Sequence, residues 1–320
     1  MQEVYVGYVY IIGTRPEAIK LAPLILELPG TVVLTGQHPT MARDALASFG
    51  ITADIDLEGS GDIPCEGTVI AQGDTRSVLD AATAAYVAGV PFAHVEAGLR
   101  SHDLARPWPE EGYRRMVGQI ASYHFAPTPT AAANLAAESV PGSVHVTGNT
   151  VIDALRICDP LPAPDGPDVL VTMHRREALG DAMHAVLSAV AGTRRRVAVM
   201  SHPNPAVRAI VEQHFPDAIA PLPYREFLSL LASARVVLTD SGGLQEECAY
   251  LGIPALVCRE VTERPEGVES GCARVIGFDG IADALDRLDD YAEYRRMAEA
   301  ACPYGDGHAA KRIAEVLTCG

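Results

Sequence analysis

Short apolar runs alternate with helical stretches along most of the chain, a pattern typical of a parallel sheet covered by helices on both faces. Strands are predicted in the first half at residues 4–12, 32–35, 69–72, 92–96, 123–127 and 144–147. Helices are predicted between them, including residues 16–28, 40–49 and 76–88. The apolar start, residues 1–13, lacks a basic leader and a cleavage site, so we interpret it as a buried strand and not as a signal peptide.

A proline-rich segment, residues 158–167, divides the chain and has the composition of a linker. After it the alternation restarts, with strands predicted at residues 169–173, 197–200, 236–239 and 255–257 and helices at residues 224–234 and 244–251. Residues 282–317 are predicted to be helical. We therefore predict an α/β protein with an N-terminal domain at residues 1–158, a second domain at residues 168–295, and a helical tail at residues 296–320 that packs back on the N-terminal domain.

One predicted crossover between parallel strands is unusually short. Gly59, Gly61, Pro64 and Gly67 lie in the segment between residues 55 and 69. A parallel crossover normally needs a dozen or more residues and usually contains a helix. The sequence therefore predicts that a covering helix is missing here.

Composition narrows the possible partners and cofactors. The chain has 320 residues, which favours two domains, and a net charge of -16, which excludes nucleic-acid binding through a general positive field. The seven cysteines form no C-x-x-C pair and no run is long enough to span a membrane, so we expect a cytoplasmic protein without a membrane partner. Dinucleotide, P-loop and metal-binding motifs are absent, so we expect neither cofactor nor metal.

The strongest local signal is TDSGGLQEE at residues 239–247, where a strand is followed by a helix. Ser241, Gly242 and Gly243 would place backbone N–H groups at a helix N-terminus, which suits a diphosphate. Glu246 and Glu247 follow one to two turns later, where they can accept hydrogen bonds from ribose hydroxyls. The alternative is a helix cap followed by two solvated glutamates.

A second strand-to-helix turn carries two basic residues in the string GTRPEAIK, residues 13–20. Arg15 and Lys20 would lie at the carboxyl end of the first strand, the edge where open α/β sheets bind ligands. Arginine suits bidentate phosphate recognition and lysine a point-charge contact. The alternative is a surface arginine and a lysine that only extends its amine to solvent.

Three acidic residues follow predicted strands of the first domain: Asp74, Glu96 and Glu110. Carboxylates gathered at one edge of a sheet would crowd like charges, which favours acid–base chemistry. For each one taken singly, the alternative is a helix cap or a salt bridge to one of the nearby arginines, Arg100, Arg106 or Arg114.

His174 ends the first strand of the second domain, beside Arg175 and Arg176. A lone histidine is usually structural, but this position at a strand's carboxyl end favours a functional one. His202 ends the next strand and is a weaker candidate for ligand contact.

Together these motifs resemble the bacterial UDP-N-acetylglucosamine 2-epimerases, a family with a glycosyltransferase-B-like fold. The strings that carry the resemblance occur in order: GTRPEAIKLAPL, TGQH, QGDT, HVEAGLRS, PWPEE, VTGNTVID, HRRE, TDSGGLQEE and TERPE. The resemblance implies two Rossmann-like domains with the nucleotide-sugar in a cleft between them. It also implies interconversion of UDP-GlcNAc and UDP-ManNAc without NAD or metal, and a homodimer.

The resemblance assigns roles to individual residues. Asp74, Glu96, Glu110 and His174 match the catalytic positions of the family. Matches to substrate-binding positions are found at Arg15, Lys20, His202, Phe227, Ser241, Gly242, Gly243 and Glu247. The implied reaction eliminates UDP to give 2-acetamidoglucal and re-adds UDP after the proton at C2 has been replaced from the other face.

Two departures concern the allosteric pocket that the resemblance implies for the non-hydrolysing members. Pro39 and Thr40 stand where the family has an arginine and a polar residue, and the segment from residue 57 to 67 is shortened. We therefore expect an enzyme that needs no allosteric activation. Three alternatives remain open: a hydrolysing 2-epimerase that releases ManNAc and UDP, a glycosyltransferase, and a catalytically inactive UDP-sugar-binding protein.

Overall fold

The computed structural model describes residues 7–174 and 178–319, and the chain divides into two compact units. The first unit comprises Met1–Ile157 and Tyr304–Gly320, and the second comprises Cys158–Pro303. Each unit contains one parallel sheet with helices, which confirms the predicted α/β fold class.

The first unit is built on a seven-stranded parallel sheet. Its elements in chain order are β1 Tyr8–Ile12, α1 Arg15–Glu27, β2 Thr31–Leu34, α2 Pro39–Ala47, β3 Ile55–Asp56, β4 Thr68–Gln72, α3 Arg76–Ala88, β5 Phe92–Val95, α4 Glu110–Gly118, β6 Tyr123–Ala126, α5 Pro129–Ala137, β7 Ser143–Val146 and α6 Thr150–Cys158. The strand order is β3-β2-β1-β4-β5-β6-β7. The order reverses between β1 and β4, which makes the carboxyl ends of these two strands a topological switch point, where open α/β sheets bind ligands.

The central strands are buried because both of their faces are covered. Tyr10, Ile11 and Ile12 of β1 are completely buried, and every residue of β4 is buried. Such strands read as continuous apolar runs in the sequence, which is why their positions were predictable. Residues 4–6 of the strand predicted at residues 4–12 lie outside the described part of the chain.

The connection from β3 to β4 contains no helix, as the sequence predicted. Leu57, Ile63 and Cys65 of this connection pack against the apolar core cluster of the sheet and α3, so the loop covers part of the surface that a helix would cover. Gly67 ends the loop with φ +76°, and a Cβ there would lie 1.9 Å from the carbonyl oxygen of Gly7. Only glycine therefore fits where the loop enters β4.

The second unit is built on a five-stranded parallel sheet with the order β12-β11-β10-β8-β9. Its elements are β8 Val169–Thr172, α7 Asp181–Ala191, β9 Val197–Val199, α8 Pro205–His214, α9 Tyr224–Ser233, β10 Val236–Thr239, α10 Gly242–Leu251, β11 Ala255–Val257, α11 Pro265–Ser270, β12 Ala273–Val275, α12 Ile281–Arg287 and α13 Tyr291–Ala298. Here the strand order reverses between β8 and β10, so this sheet has its own switch point.

The predicted tail is interrupted and is not one continuous helix. After α13 the chain runs without helix until α14, Ala309–Cys319, which belongs to the first unit. Pro303, Gly305 and Gly307 lie in the interruption, and both glycines have positive φ. Helix α14 packs against α1, and Asp153 accepts hydrogen bonds from the first N–H groups of α14, those of Ala309 and Ala310.

No helix in the described ranges is both long and apolar enough to cross a membrane.

Candidate active site

The candidate residues fall into two groups, one in each unit, and Arg15 and Asp74 follow the two strands that flank the switch point of the first sheet. In the first unit they are Arg15, Lys20, Asp74, Glu96 and Glu110, which we call the first-unit cluster. In the second unit they are His174, His202, Phe227, Ser241, Gly242, Gly243 and Glu247, which we call the second-unit cluster.

The turn after β1 is held by the buried carboxylate of Glu17. Glu17 Oε2 accepts hydrogen bonds from the backbone N–H groups of Gly13, at 2.5 Å, and Thr14, at 3.2 Å. Its Oε1 accepts from the Thr75 hydroxyl at 2.6 Å, and Thr75 directly follows Asp74. Half-buried Arg15 begins α1 on this turn. One carboxylate thus ties the loop that carries Arg15 to the loop that carries Asp74.

Glu96 is held in an unusual backbone conformation at the end of β5. Its φ is +66°, in the left-handed region that non-glycine residues rarely adopt. Its carboxylate pairs with Lys20 of α1, both side chains being 8% exposed, and accepts a hydrogen bond from Asn149 Nδ2 at 2.8 Å. Strained residues with such fixed side chains concentrate at functional sites. Lys20 therefore acts on the Glu96 carboxylate and is not a solvated surface lysine.

Asp74 follows β4, which lies beside β5, and its carboxylate pairs with Arg114 of α4. Arg114 is buried and also faces Glu111, whose Oε2 accepts from the N–H of Ser101 at 3.0 Å. The carboxylates were expected to crowd one another. Instead, Asp74 and Glu96 are each neutralised by a different cation, because α1 and α4 bring Lys20 and Arg114 to the same sheet edge.

Glu110 is the first residue of α4, one turn before Arg114. Its Oε2 is buried and makes no hydrogen bond to any described residue. A buried carboxylate oxygen without a partner is costly, so it indicates a group that a ligand would satisfy.

Two buried side chains at this edge of the sheet, Glu17 and His94, have shifted pKa values. Burial raises the pKa of Glu17 to about 7, although hydrogen bonds from Thr75, Gly13 and Thr14 oppose the shift. Burial lowers the pKa of His94 to about 4, although its hydrogen bond to the Gly73 carbonyl opposes the shift. The His94 Nε2 donates to that carbonyl at 2.7 Å and fixes the residue before Asp74. Sequence reasoning missed both groups, because a capping glutamate and an intrastrand histidine look structural in isolation.

In the second unit, α10 begins directly at the predicted anion site. Ser241 is its N-cap residue and Gly242 its first residue. A Cβ on Gly242 would lie 3.1 Å from the Glu263 side chain and 3.4 Å from the Arg264 side chain, so a larger residue would crowd both side chains. A Cβ on Gly243 would meet nothing within 4 Å, so packing does not explain that glycine.

The two glutamates of α10 have different environments. Glu246 is completely buried and pairs with Arg264 at 2.7 Å, so it holds the loop before α11. Glu247 is 7% exposed and its Oε1 accepts a hydrogen bond from the Tyr224 hydroxyl at 2.7 Å. Neither is the solvated glutamate of the simpler interpretation. Phe227 lies half-buried on α9, one turn after Tyr224.

His174 and Asp240 meet because β8 and β10 are neighbours. Both oxygens of the fully buried Asp240 carboxylate accept from the His174 backbone N–H, at 3.1 and 2.9 Å, and Oδ1 lies 3.2 Å from the ring Nδ1. His202 stacks on His174 with ring centroids 5.5 Å apart and an interplanar angle of 12°. Arg175 and Arg176, the predicted basic neighbours of His174, lie outside the described residues.

Comparison with known proteins places these features in one family. The family described as UDP-N-acetylglucosamine 2-epimerase matches residues 66–318. The chain is 40% identical to the UDP-N-acetylglucosamine 2-epimerase of Escherichia coli (strain K12), covering 96% of this chain and 97% of the relative. It is also 40% identical to that of Bacillus subtilis (strain 168), with coverages of 96% and 93%.

A solved structure agrees with the sequence relatives. The UDP-GlcNAc 2-epimerase from Neisseria meningitidis, in a crystal structure bound to UDP-GlcNAc, has a TM-score of 0.90 and 33% identity, covering 98% of this chain and all of that one. The chain therefore belongs to the UDP-N-acetylglucosamine 2-epimerase family.

Proposed function

We propose that this enzyme interconverts UDP-GlcNAc and UDP-ManNAc by eliminating UDP and adding it back. The C2 proton of the sugar is too weakly acidic for direct removal. As the C1–O bond breaks, its electron pair leaves with UDP, and the positive charge that develops at C1 acidifies C2–H. A carboxylate takes the C2 proton and leaves 2-acetamidoglucal. A second group then protonates C2 on the other face while a diphosphate oxygen of UDP bonds to C1.

The observation that carries this proposal is the first-unit cluster at its switch point. Asp74 and Glu96 follow neighbouring strands, and Glu110 begins the helix whose Arg114 pairs with Asp74. Two proton-transfer groups on opposite faces of C2 are needed, and this cluster offers three candidates. Lys20, Asn149 and Arg114 fix two of the carboxylates, and fixed orientation is what proton transfer requires.

The second-unit cluster has the chemistry to bind UDP. The N-terminus of α10 at Ser241 carries partial positive charge, and Gly243 lets a ligand approach the backbone closely. We assign the diphosphate to Ser241, Gly242, Gly243 and Arg15, the ribose to Glu247, and the uracil to the region of Phe227. The Tyr224 hydroxyl holds Glu247 and so presets one acceptor for the ribose hydroxyls.

One experiment separates this reaction from its competitors. Enzyme and UDP-GlcNAc are incubated in D₂O without added metal or NAD and followed by proton NMR. The proposal expects UDP-ManNAc, with deuterium at C2 of both the product and the recovered substrate. ManNAc plus UDP would identify the hydrolysing reaction, and a transferred sugar would identify a glycosyltransferase. Absence of any product, or activity that EDTA abolishes and magnesium restores, would contradict the proposal.

We further propose that the reaction proceeds without an allosteric activator. The candidate effector groups Gln37 and His38 precede α2. Gln37 Oε1 already accepts from the Ser77 hydroxyl at 2.8 Å, and Gly59 of the shortened loop packs against Gly36, whose added Cβ would lie 2.1 Å from the Gly59 nitrogen. Gln37 Oε1 is therefore engaged within the unit, and the loop between β3 and β4 contributes no helix-borne side chain.

We also propose that the enzyme acts in the cytoplasm as a homodimer. Helix α3 exposes Tyr86 and Val87, which are 67% and 80% exposed, and such adjacent apolar side chains are typical of association surfaces. Light scattering of the purified enzyme should give twice the chain mass. A monomer at micromolar concentration would contradict this assignment.

A further inference from the structure

We propose that Asp240 is a positioning residue that acts through His174. This inference rests on the proposed function, because it assigns Asp240 to the departure and return of UDP. Asp240 stands between the strand β10 and Ser241, the N-cap residue of α10. The same strand end therefore supplies both the predicted anion site and the carboxylate that holds the histidine.

The pairing is fixed by the sheet. Thr239 of β10 is in register with Thr172 of β8, and their hydroxyl oxygens are 2.8 Å apart. Asp240 is the next residue after Thr239, and His174 is two residues after Thr172. The backbone N–H of His174 donates to both oxygens of Asp240, which orients the carboxylate toward the Nδ1 face of the ring. The side chain of Asp240 is 0% exposed, so little water competes for it.

This geometry determines which ring nitrogen of His174 can donate a hydrogen bond to the diphosphate. Because Nδ1 lies 3.2 Å from Asp240 Oδ1, the carboxylate favours the forms of the ring that carry a hydrogen on Nδ1. Nε2 is then on the side of the ring turned away from Asp240. A carboxylate at Nδ1 also stabilises the imidazolium form, in which Nε2 carries a hydrogen. In that form Nε2–H can donate to the diphosphate oxygen as the C1–O bond breaks, and the proton remains available when UDP adds back.

The stacked neighbour shows why only one of the two histidines suits this role. The His202 Nδ1 accepts from the backbone N–H of Asn204 at 3.1 Å, so that nitrogen carries a lone pair. The pKa of His202 is lowered by partial burial and then by the nearby His174. Two stacked imidazolium rings would repel each other. The carboxylate beside His174 and the N–H group beside His202 therefore assign the positive charge to His174.

The position of Asp240 beside an anion site supports the same assignment. An uncompensated carboxylate one residue before the N-cap of α10 would repel a diphosphate. Paired with an imidazolium, the carboxylate no longer adds net negative charge there. A purely structural role would be served equally well by an uncharged acceptor for the His174 N–H, such as asparagine, whereas the proposed role needs the charge.

The test is a double-mutant cycle built from Asp240→Asn, His174→Gln and the double variant, measured with UDP-GlcNAc. Asn keeps the size and an acceptor oxygen but removes the charge. We expect Asp240→Asn to lower kcat on the order of 10²-fold with a small change in KM, since the interaction strengthens as UDP leaves. In the His174→Gln background the same change should alter kcat less than about 3-fold, because the residue through which it acts is gone.

An equal loss in both backgrounds would overturn the proposal and make Asp240 a structural residue. A wild-type kcat in Asp240→Asn would overturn it as well. Glu246→Gln is the matched control: it also neutralises a buried acid of this unit, on α10 and away from His174, and its effect should be the same in both backgrounds. Thermal unfolding of each variant separates loss of function from loss of fold.

A second readout does not depend on activity. In ¹⁵N-histidine-labelled wild-type enzyme at pH 8 to 9, the signals of His174, assigned by their absence in His174→Gln, should show hydrogen on Nδ1. Hydrogen on Nε2 alone would overturn the proposal even in an active enzyme. If the enzyme instead fails to epimerise UDP-GlcNAc while His174 carries hydrogen on Nδ1, the proposed function fails and the pairing with Asp240 stands.

Discussion

The two units hold their functional carboxylates in different ways. In the first unit, Asp74 and Glu96 are paired with the basic side chains of Arg114 and Lys20. In the second unit, Asp240 is paired with His174, whose charge depends on a proton. A carboxylate beside a permanent cation is kept as an oriented anion, whereas a carboxylate beside a histidine helps to hold a mobile proton.

This difference matches the two tasks of the proposed reaction. Proton removal at C2 needs an oriented base, the role that we propose for the first-unit cluster. Departure of UDP needs positive charge at the diphosphate, the role that we propose for His174 and the N-terminus of α10 in the second unit. The following predictions test whether the first unit transfers the C2 proton and the second unit stabilises the departing UDP.

Neutralising the first-unit carboxylates should have the largest effect. We expect Asp74→Asn, Glu96→Gln and Glu110→Gln each to lower kcat on the order of 10²–10⁴-fold, the usual contribution of a general acid or base. Deuterium incorporation at C2 should fall in parallel, as proton NMR in D₂O would show. The matched control is Asp80→Asn, which removes an exposed acid paired only with Arg76 on the surface of α3 and should retain activity. A wild-type rate in any of the three removes that residue from the mechanism.

Removing one phosphate contact from each unit should have the next largest effect. We expect Arg15→Ala to weaken UDP binding about 10- to 100-fold, because charge-assisted hydrogen bonds contribute roughly 1.5–3 kcal/mol. Ser241→Ala should weaken it less, since a neutral hydroxyl is lost. Titration calorimetry with UDP measures both, and Arg208→Ala on the exposed surface of α8 is the control. Unchanged affinity in both variants would place the nucleotide elsewhere.

The buried Glu17 should make stability depend on pH. Its pKa rises from 4.5 in the unfolded chain to about 7 in the folded one, so its stabilising contribution is complete below pH 4.5 and is lost as pH rises through 7. Glu17→Gln does not titrate and can still accept from Gly13 and Thr14 while donating to Thr75. Its free energy of unfolding relative to wild type should therefore increase by about 2–3 kcal/mol between pH 5 and 8.

Wild-type protein alone would not reveal this effect. His94, whose pKa falls to about 4, contributes with the opposite sign, since its stability is lost as pH falls from 6.5 toward 4. Urea unfolding of the two proteins at matched pH cancels the His94 contribution. A difference that stays constant from pH 5 to 8 would mean that Glu17 is not buried as an acid between the two loops.

The smallest effect is expected for allosteric activation, in which a second UDP-GlcNAc molecule would raise the rate from a site of its own. Without an effector site, UDP-GlcNAc can influence the rate only as substrate, so the rate should follow a simple hyperbola. UDP-ManNAc alone should be converted without a lag, as coupled NMR time courses would show. A sigmoidal curve, or a reverse reaction that begins only after UDP-GlcNAc is added, would show that Gln37 and His38 still bind an effector.

Much of this organisation follows from local sequence. The strands were predictable because runs such as those of β1 and β4 are apolar on both faces, and the missing helix before β4 followed from its glycines. The pairings Lys20–Glu96 and Asp240–His174 were not predictable, because they depend on the order of the strands in each sheet. The hydrogen bond from Asn149 to Glu96 was not predictable either, since 53 residues separate the two in the sequence.

The return of the chain to the first unit at Tyr304 sets the order of events during synthesis. Helix α1, which carries Arg15 and Lys20, is covered by α14, and the Tyr8 hydroxyl donates to the carbonyl of Leu317. The part of the first unit that ends at Ile157 therefore leaves the ribosome before the helix that covers α1. At about 5–20 residues per second, the rest of the chain takes roughly 8–30 s to translate. During that interval the face of α1 that α14 later covers stays exposed.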